Sequence, residues 1–96
     1  MTSIIANLNK TFDSRIRLGI MSILSVNDFA DFSTMKDLLD LTDGNLASHL
    51  KTLETAEYIR STKQFIDRKP NTRYTITELG KSSFQQHLNA LEKLIN

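Results

Sequence analysis

Two neighbouring stretches of this 96-residue chain carry side chains suited to hydrogen bonding with phosphates and base edges. In residues 42–59, Leu46, Leu50 and Leu53 recur at helical spacing, which predicts a short helix with one apolar face. Small or hydrogen-bonding residues lie around the rest of this helix: Thr42, Gly44, Asn45, Ser48, His49, Lys51 and Thr52. Residues 64–77, QFIDRKPNTRYTIT, follow as a predicted basic hairpin. Together the helix and the hairpin form a candidate surface for binding a nucleic acid.

The residue types on the helix favour particular contacts with DNA. Asn45 has the amide geometry for a bidentate hydrogen bond to adenine. Ser48 is short enough to let the helix approach and can donate to a phosphate or a base edge, and Lys51 is expected to contact a phosphate. His49 and Thr52 are expected to add contacts. An isolated amphipathic helix is more often an ordinary surface helix, so the case depends on its neighbours along the chain.

The hairpin is the more distinctive of the two stretches. We expect a loop at residues 67–72, stiffened by Pro70 and presenting its side chains at little entropic cost. Arg68 is expected to enter the minor groove, while Lys69 and Arg73 are expected to contact phosphates. The candidate wing residues are Arg68, Lys69, Asn71, Thr72 and Arg73.

The net charge of +1 conceals an uneven distribution along the chain. Residues 1–57 contain five Lys or Arg and eight Asp or Glu, a balance of −3. Residues 58–76 contain five Lys or Arg and one Asp, a balance of +4. Phosphates respond to charge within a Debye length of about 8–10 Å, so this local clustering matters more than the net value.

Composition argues against several other classes of protein. The chain has no cysteine, which excludes disulfides, thiolate metal sites and a cysteine redox switch. Its two histidines, His49 and His87, make a poor transition-metal site and have no neighbouring residues that suggest a catalytic triad. No phosphate-binding glycine loop is present. We therefore expect no enzymatic activity, metal or cofactor, and we expect His87 on the outer side of the last helix.

The length fits one domain, residues 1–96, and 40% hydrophobic residues is typical of a globular protein. No stretch is long enough to span a membrane, and the N-terminal MTSIIANLNK does not resemble a signal peptide. A cytoplasmic location without membrane contact is the resulting expectation.

The predicted elements are mainly α with a small β-wing, in the order α1-β1-α2-α3-β2-wing-β3-α4, a winged helix-turn-helix. We expect α1 at about residues 13–26, capped by Asp13, and α2 capped by Ser33 or Thr34. Thr42 is expected to cap α3 and Thr77 to cap α4. Tyr74 and Ile76 are expected to face the core from β3.

Apolar residues near both ends of the chain suggest contact with a second copy. Helices at about residues 4–26 and 77–96 are expected to contribute to dimerisation. The alternative is packing within one domain, but a core this small does not cover such a long stripe. The candidate interface residues are Leu8, Phe12, Phe84, Leu88, Leu91 and Ile95.

The runs DSRIRLGIMSIL, DFSTMKDLLDLTDGNLASHLKTLETAEYI and FIDRKPNTRYTITELGKSSFQQHLNALEKLI resemble the small winged-helix regulators related to the MarR and ArsR families. The match covers nearly the whole chain, and its most specific parts are LTDGNLASHLKTLE and RKPNTRYTIT. The resemblance implies a homodimer that binds operator DNA, with α3 in the major groove and the wing on the backbone or minor groove.

Three features depart from the pattern of those families. Glu57 stands where members usually carry a glycine after the recognition helix, in a left-handed position that costs a non-glycine residue about 1 kcal/mol. Asp67 replaces the glycine at the entrance to the wing. The chain also lacks the cysteine-containing helix of metal-sensing ArsR-like proteins, so metal sensing is not implied.

The sequence thus predicts a regulator of transcription that binds a pseudo-palindromic site in double-stranded DNA as a homodimer, most simply as a repressor. The alternative is a winged-helix module that binds another protein, since Asp43, Glu54 and Glu57 lie in or beside α3. Asp43 is expected to support the helix N-terminus instead of facing DNA. RNA binding is disfavoured by an expected lack of surface aromatic residues. Nothing in the sequence marks a site for a small effector.

Overall fold

The elements follow the predicted winged helix-turn-helix order. The structure, a computed structural model, describes residues 5–96. A 3-10 turn precedes four helices and three strands: Lys10–Phe12, then α1 Arg15–Val26, β1 Ala30–Asp31, α2 Phe32–Leu39, α3 Asp43–Thr55, β2 Ile59–Ile66, β3 Lys69–Ile76 and α4 Glu78–Ile95. The N-terminal helix predicted from about residue 4 is therefore wrong, because α1 begins at Arg15; residue 4 itself lies outside the described residues.

Each of the four α-helices begins after a side chain that accepts a hydrogen bond from the amide three residues further on. The caps are Ser14 for α1, Asp31 for α2, Thr42 for α3 and Thr77 for α4. Thr42 and Thr77 were predicted correctly. Asp13 was wrong by one residue, and Ser33 and Thr34 lie inside α2, because the Asp31 carboxylate accepts from the Thr34 amide at 2.8 Å and starts the helix earlier.

Both helices of the helix-turn-helix end in a left-handed residue that is not glycine. Asp40, with φ 52°, ends α2, and Glu57, with φ 65°, ends the turn after α3. The Tyr58 amide then donates to the Leu53 carbonyl and the Glu57 amide to the Glu54 carbonyl, which is the Schellman arrangement. The left-handed position predicted for Glu57 is confirmed.

The sheet has the strand order β1-β3-β2, and all pairs are antiparallel. Ile66 pairs with Lys69, so the wing turns on two residues, Asp67 and Arg68, with φ of 51° and 68°. Positive φ at both positions defines the tight hairpin turn whose twist matches that of the strands. The predicted loop at residues 67–72 is therefore wrong.

Pro70 lies in β3, opposite Phe65, and does not stiffen a loop. This pair follows the hydrogen-bonded pair that closes the hairpin, so the nitrogen of Pro70 faces away from β2. The missing N–H consequently costs the ladder no hydrogen bond.

The core lies between α1, α2, α3, the sheet and the first half of α4. Phe12 is fully buried at its centre, with its ring 5.2 Å from that of Tyr58, 5.4 Å from Phe84 and 5.3 Å from His87. Phe12 and Phe84 were predicted at a dimer interface, and the structure corrects both, because they pack against each other inside one protomer. Tyr74 lies in this core and Ile76 packs against it, as the strand pattern predicted.

The buried His87 attaches the N-terminal segment to α4. Its Nδ1 accepts a hydrogen bond from the backbone N–H of Asn9 at 3.0 Å, and its side chain is only 5% exposed. The Asn9 side-chain amide also donates to the Tyr58 hydroxyl at 2.9 Å. His87 therefore does not lie on the outer side of α4, because the segment before α1 folds over it.

Candidate nucleic-acid interface

The outer face of α3 matches most of the predicted recognition surface. Leu46, Leu50 and Leu53 are buried, which fixes the rotation of the helix about its axis. Six of the seven predicted residues are exposed: Thr42, Gly44, Asn45, Ser48, Lys51 and Thr52. Apart from its chain neighbours and the backbone of α3 itself, nothing lies within 4 Å of the position that a Cβ on Gly44 would occupy, so the first turn presents an open surface. The helix can thus approach a flat partner closely along this face.

His49 is the exception in this set. It is half-buried at the edge of the core face, and its Nδ1 lies 2.9 Å from a guanidinium nitrogen of Arg17 on α1. Since arginine only donates, the Nδ1 must accept, and the imidazole is neutral in this arrangement. Burial, and then the charge of Arg17, lower the pKa of His49 below its ordinary 6.5. Because His49 is bonded to Arg17 of α1, its side chain does not face outward, and the orientation expected for it was wrong.

Both histidines favour the neutral form in the folded protein, so we expect the protein to lose stability on mild acidification. Burial lowers the pKa of His87 as well, and the charge of Asp13 opposes this only in part. Between the depressed folded-state pKa values and 6.5, the unfolded chain binds more protons than the folded one. We therefore expect the urea midpoint to hold steady above pH 7 and to fall as the pH drops below about 6.5.

The variants His87→Gln and His49→Gln check the source of this pH dependence. Glutamine at position 87 retains an oxygen that can accept from the Asn9 amide but does not titrate. Each variant should flatten part of the slope below about pH 6.5. An unchanged slope in both variants would contradict the assignment to the histidines.

Acidic residues near the recognition helix are engaged within the chain. The Asp43 carboxylate lies 2.8 Å from the ammonium of Lys36 on α2, in the first turn of α3 where its charge is favourable. Glu54 accepts a hydrogen bond from the Ser61 hydroxyl at 3.0 Å. Asp43 thus supports the helix N-terminus as expected, and neither carboxylate needs a binding partner from outside.

At the tip of the wing, Arg68 and Lys69 are exposed. Arg68 occupies the second position of the tight turn and Lys69 the first residue of β3. Because a two-residue turn fixes the backbone more strongly than a six-residue loop, both side chains are anchored at a defined point. The stiffness that we expected from Pro70 comes from the turn instead.

The other wing residues have partners in the body of the domain. The Asn71 amide donates to Asp31 at 3.2 Å, and its oxygen accepts from Gln64 at 3.0 Å. Hydrogen bonds from Thr34, with smaller contributions from Asn71 and Arg73, hold the pKa of Asp31 below its ordinary 3.8. This chain of hydrogen bonds ties β2 and β3 to the N-terminus of α2, so Asn71 positions the wing.

Arg73 stacks on an aromatic ring. Its guanidinium carbon lies 3.6 Å from the centroid of the Phe29 ring, a cation–π contact that holds the start of β1 against β3. Its Nε is buried and has no hydrogen-bond acceptor within the described chain. The sequence predicted a phosphate contact for Arg73, and the structure gives its guanidinium this packing role. Thr72, the last predicted wing residue, is half-buried.

Phe65 is a candidate contact residue that the sequence analysis missed. It lies next to the tip of β2 and is 77% exposed, as one of the most exposed large apolar residues of the described chain. The expected lack of surface aromatic residues is therefore wrong at this position. The sequence signal was the position of Phe65 two residues before the turn, beyond the reach of the core.

Comparison with known proteins gives this geometry a context. A family model described as a winged helix DNA-binding domain matches residues 16–95. The chain belongs to this family. Members of the winged-helix family bind DNA and are not enzymes, and the resemblance to winged-helix regulators expected from the sequence is confirmed. A curated relative, an uncharacterized protein from Methanocaldococcus jannaschii, is 33% identical over 85 residues, which is 88% of this chain and 92% of the relative.

Solved structures share the winged-helix architecture. A transcriptional regulator homologue from Pyrococcus horikoshii is 35% identical, with a TM-score of 0.85 over 96% of this chain and 89% of that one. The YusO protein of Bacillus subtilis, at 15% identity, has a TM-score of 0.81 over 96% of this chain and 64% of its own. A MarR family regulator from Silicibacter pomeroyi, at 19% identity, has a TM-score of 0.68 over 94% and 62% of the two chains. The last two show likeness of fold alone.

Two further properties of this winged-helix protein concern membranes and metals. Among the described residues, none of the helices is long and apolar enough to cross a membrane. No group of three or more histidine, aspartate or glutamate side chains within residues 5–96 is arranged to hold a metal ion.

Proposed function

We propose that this protein is a sequence-specific regulator of transcription that binds double-stranded DNA as a homodimer, acting most simply as a repressor, in the cytoplasm. The observation that carries the proposal is the exposed polar face of α3 beside a rigid, basic wing, in a chain of the winged helix DNA-binding family. The relative from Pyrococcus horikoshii, described as a transcriptional regulator homologue, supports the regulatory part.

The proposed division of labour follows from the chemistry of each surface. Asn45 and Ser48, near the N-terminus of α3, contact base edges in the major groove, while Lys51 contacts phosphate. Arg68 enters the minor groove and Lys69 binds phosphate from the wing. Sequence-independent attraction thus comes mainly from the wing, and selectivity from α3.

Dimerisation is proposed through the C-terminal half of α4. Leu88, Leu94 and Ile95 are exposed and Leu91 is half-buried, so this end of the helix presents apolar side chains that the protomer leaves uncovered. Leu8, the remaining residue predicted at the interface, is half-buried near the N-terminus. A two-fold dimer would place two recognition helices about 34 Å apart, one turn of DNA, which requires a pseudo-palindromic site.

The alternative of a protein-binding module has weak support. It depended on acidic residues near α3, but Asp43 is paired with Lys36 and Glu54 is bonded to Ser61 within the same chain. Both carboxylates are thus engaged within the domain, and Glu57 is the one residue of the three that stays exposed without such a contact in the described chain.

The double substitution Arg68→Ala with Lys69→Ala tests the proposed role of the wing. Affinity should fall for every duplex sequence, because phosphate attraction is independent of sequence. The slope of log affinity against log salt should flatten by about one unit for each phosphate that the variant no longer binds. Fluorescence anisotropy of labelled duplex DNA across a salt series measures both quantities.

A charge-matched control separates local contacts from net charge. Lys10→Ala with Lys81→Ala removes the same two positive charges per protomer from exposed positions in the 3-10 turn and on α4. This control should keep most of the affinity and of the salt slope. If the wing variant and the control behaved alike, the wing would not be the phosphate-binding element.

A further inference from the structure

The tip of the wing is apolar as well as basic. Phe65 and Pro70 are paired across the hairpin, so their side chains stand next to each other on one face of the sheet. Ile66, 47% exposed, lies on the opposite face one residue closer to the turn. An exposed aromatic ring backed by proline has no role in the core, since the protomer covers little of it.

The position of Phe65 can be traced from the contacts of β2. Ser61 shares a sheet face with Phe65, and its hydroxyl binds Glu54 on α3, so this face looks toward the recognition helix. Phe65 lies four residues further along the strand, about 13 Å beyond that contact. The ring therefore projects from the end of the hairpin on the side where α3 lies.

The charges around the ring identify the class of partner. Lys63 lies on the same face of β2 between Ser61 and Phe65, and Arg68 and Lys69 follow at the turn. The only acidic residue within the hairpin is Asp67. An apolar tip among three cations suits a partner with negative charge outside and apolar surface inside. Duplex DNA has both, because its phosphates flank a stack of bases.

A second copy of the chain is the less suitable occupant. Two wing tips brought together would place six lysine and arginine side chains near one another. The exposed leucines of α4 also offer a self-association surface away from the wing.

We propose that Phe65 is a wedge that enters the minor groove from the wing and partly separates two stacked base pairs, bending the DNA. The inference rests on the proposed DNA-binding function and adds a specificity-determining residue to it. Phenylalanine and proline are among the side chains that architectural proteins insert between base steps. Flexible pyrimidine–purine steps unstack most easily, so the wedge selects such a step at the flank of the site without a hydrogen bond to a base.

The test uses a duplex of about 30 base pairs that carries TA steps on both sides of its centre, with fluorophores at its two ends. Energy transfer between the ends reports the bend, and 2-aminopurine placed in the TA steps reports unstacking by a rise in its fluorescence. The wild-type protein should bend the duplex by about 20–90° and raise the 2-aminopurine signal.

Phe65→Ala should abolish the unstacking signal, reduce the bend and lower the affinity about tenfold. Its salt slope should stay that of the wild type, because every phosphate contact is retained. Phe65→Leu should keep part of the bend, since leucine also acts as a wedge. Val26→Ala, which trims another exposed apolar residue at the end of α1, is the matched control and should change none of these quantities.

Several results would overturn the wedge. The first is a Phe65→Ala variant that bends and unstacks the duplex as the wild type does, and the second is a change of oligomeric state in that variant by sedimentation. The third is tighter binding of the wild type to single-stranded DNA or RNA of the same sequence than to the duplex. Failure of the wild type to bind any duplex at low salt would overturn both the wedge and the proposed function. Duplex binding without unstacking would overturn the wedge alone.

Discussion

The variant Leu88→Glu with Leu91→Glu is expected to be a folded monomer whose affinity for DNA is about a hundredfold lower or worse. Both leucines lie on the C-terminal half of α4, where Leu88 is 39% exposed and Leu91 half-buried. Two glutamates per protomer would place four negative charges in an apolar contact, which opposes association strongly. Loss of the dimer removes the gain from binding two half-sites at once.

Sedimentation equilibrium measures the oligomeric state of the variant, and fluorescence anisotropy measures its affinity for DNA. Leu88→Met with Leu91→Met is the matched control, because it conserves volume and apolar character and should remain a dimer. Circular dichroism checks that the glutamate variant is folded. Survival of the dimer in that variant would show that α4 is not the interface.

The second large effect is on stability. Gly80→Ala is expected to cost about 3 kcal/mol of unfolding free energy or more. A Cβ on Gly80 would collide with the carbonyl oxygen of Tyr58 and lie 2.9 Å from its carbonyl carbon and 3.0 Å from Cγ1 of Ile76. The Tyr58 carbonyl also accepts the amide of Thr77 at 3.0 Å, so it cannot move away without losing that hydrogen bond.

Gly44→Ala provides the comparison within the same chain. Gly44 also lies in the first turn of a helix, but its Cβ would meet nothing within 4 Å apart from its chain neighbours and the backbone of α3. Alanine there should raise the unfolding free energy by about 0.5–1 kcal/mol through the lower entropy of the unfolded chain. Urea denaturation of the two variants gives the contrast. Equal stability changes would contradict the close approach of α4 to the turn at Tyr58.

Local rules predicted much of this fold because the decisive interactions are short in sequence. Thr42 and Thr77 cap their helices through amides three residues away, and Glu57 takes a left-handed conformation because the chain must turn directly after α3. The leucine spacing likewise fixed which face of α3 is buried. Such features need no knowledge of tertiary contacts.

The predictions of the fold that were wrong involve residues whose contacts are distant in sequence. His87 is buried because the segment around Asn9, 78 residues earlier, folds over it, and the Asn9 amide donates to its Nδ1. Phe12 lies in the core because a short 3-10 turn carries it between Tyr58 and α4. No periodic pattern encodes either contact.

At the candidate site, contacts between residues distant in sequence also decide which side chains face outward and which are held by the domain. Arg73 looked like a phosphate ligand by type and position, but Phe29 provides a ring for its guanidinium. His49 likewise has Arg17 as its first partner. The sequence therefore predicted the candidate interface as a surface, and only the tertiary structure shows that Asn71, Arg73 and His49 are held by the domain.

The prediction of a long loop in the wing was wrong for a different reason. Its two left-handed residues are Asp67 and Arg68; aspartate is common at the first of these positions, but Arg68 stands at the second, where glycine is usual. Pro70, normally a signal for a loop, lies within β3 at a position where no hydrogen bond is needed. Composition therefore pointed to a longer loop than the chain forms.

The most direct test of the central claim, that this chain is a DNA-binding regulator, is fluorescence anisotropy of labelled duplex DNA with the wild-type protein across a salt series. We expect log affinity to fall linearly with log salt, with a slope that corresponds to about four to eight phosphate contacts per dimer. Absence of binding at low salt, or binding that does not depend on salt, would contradict the account.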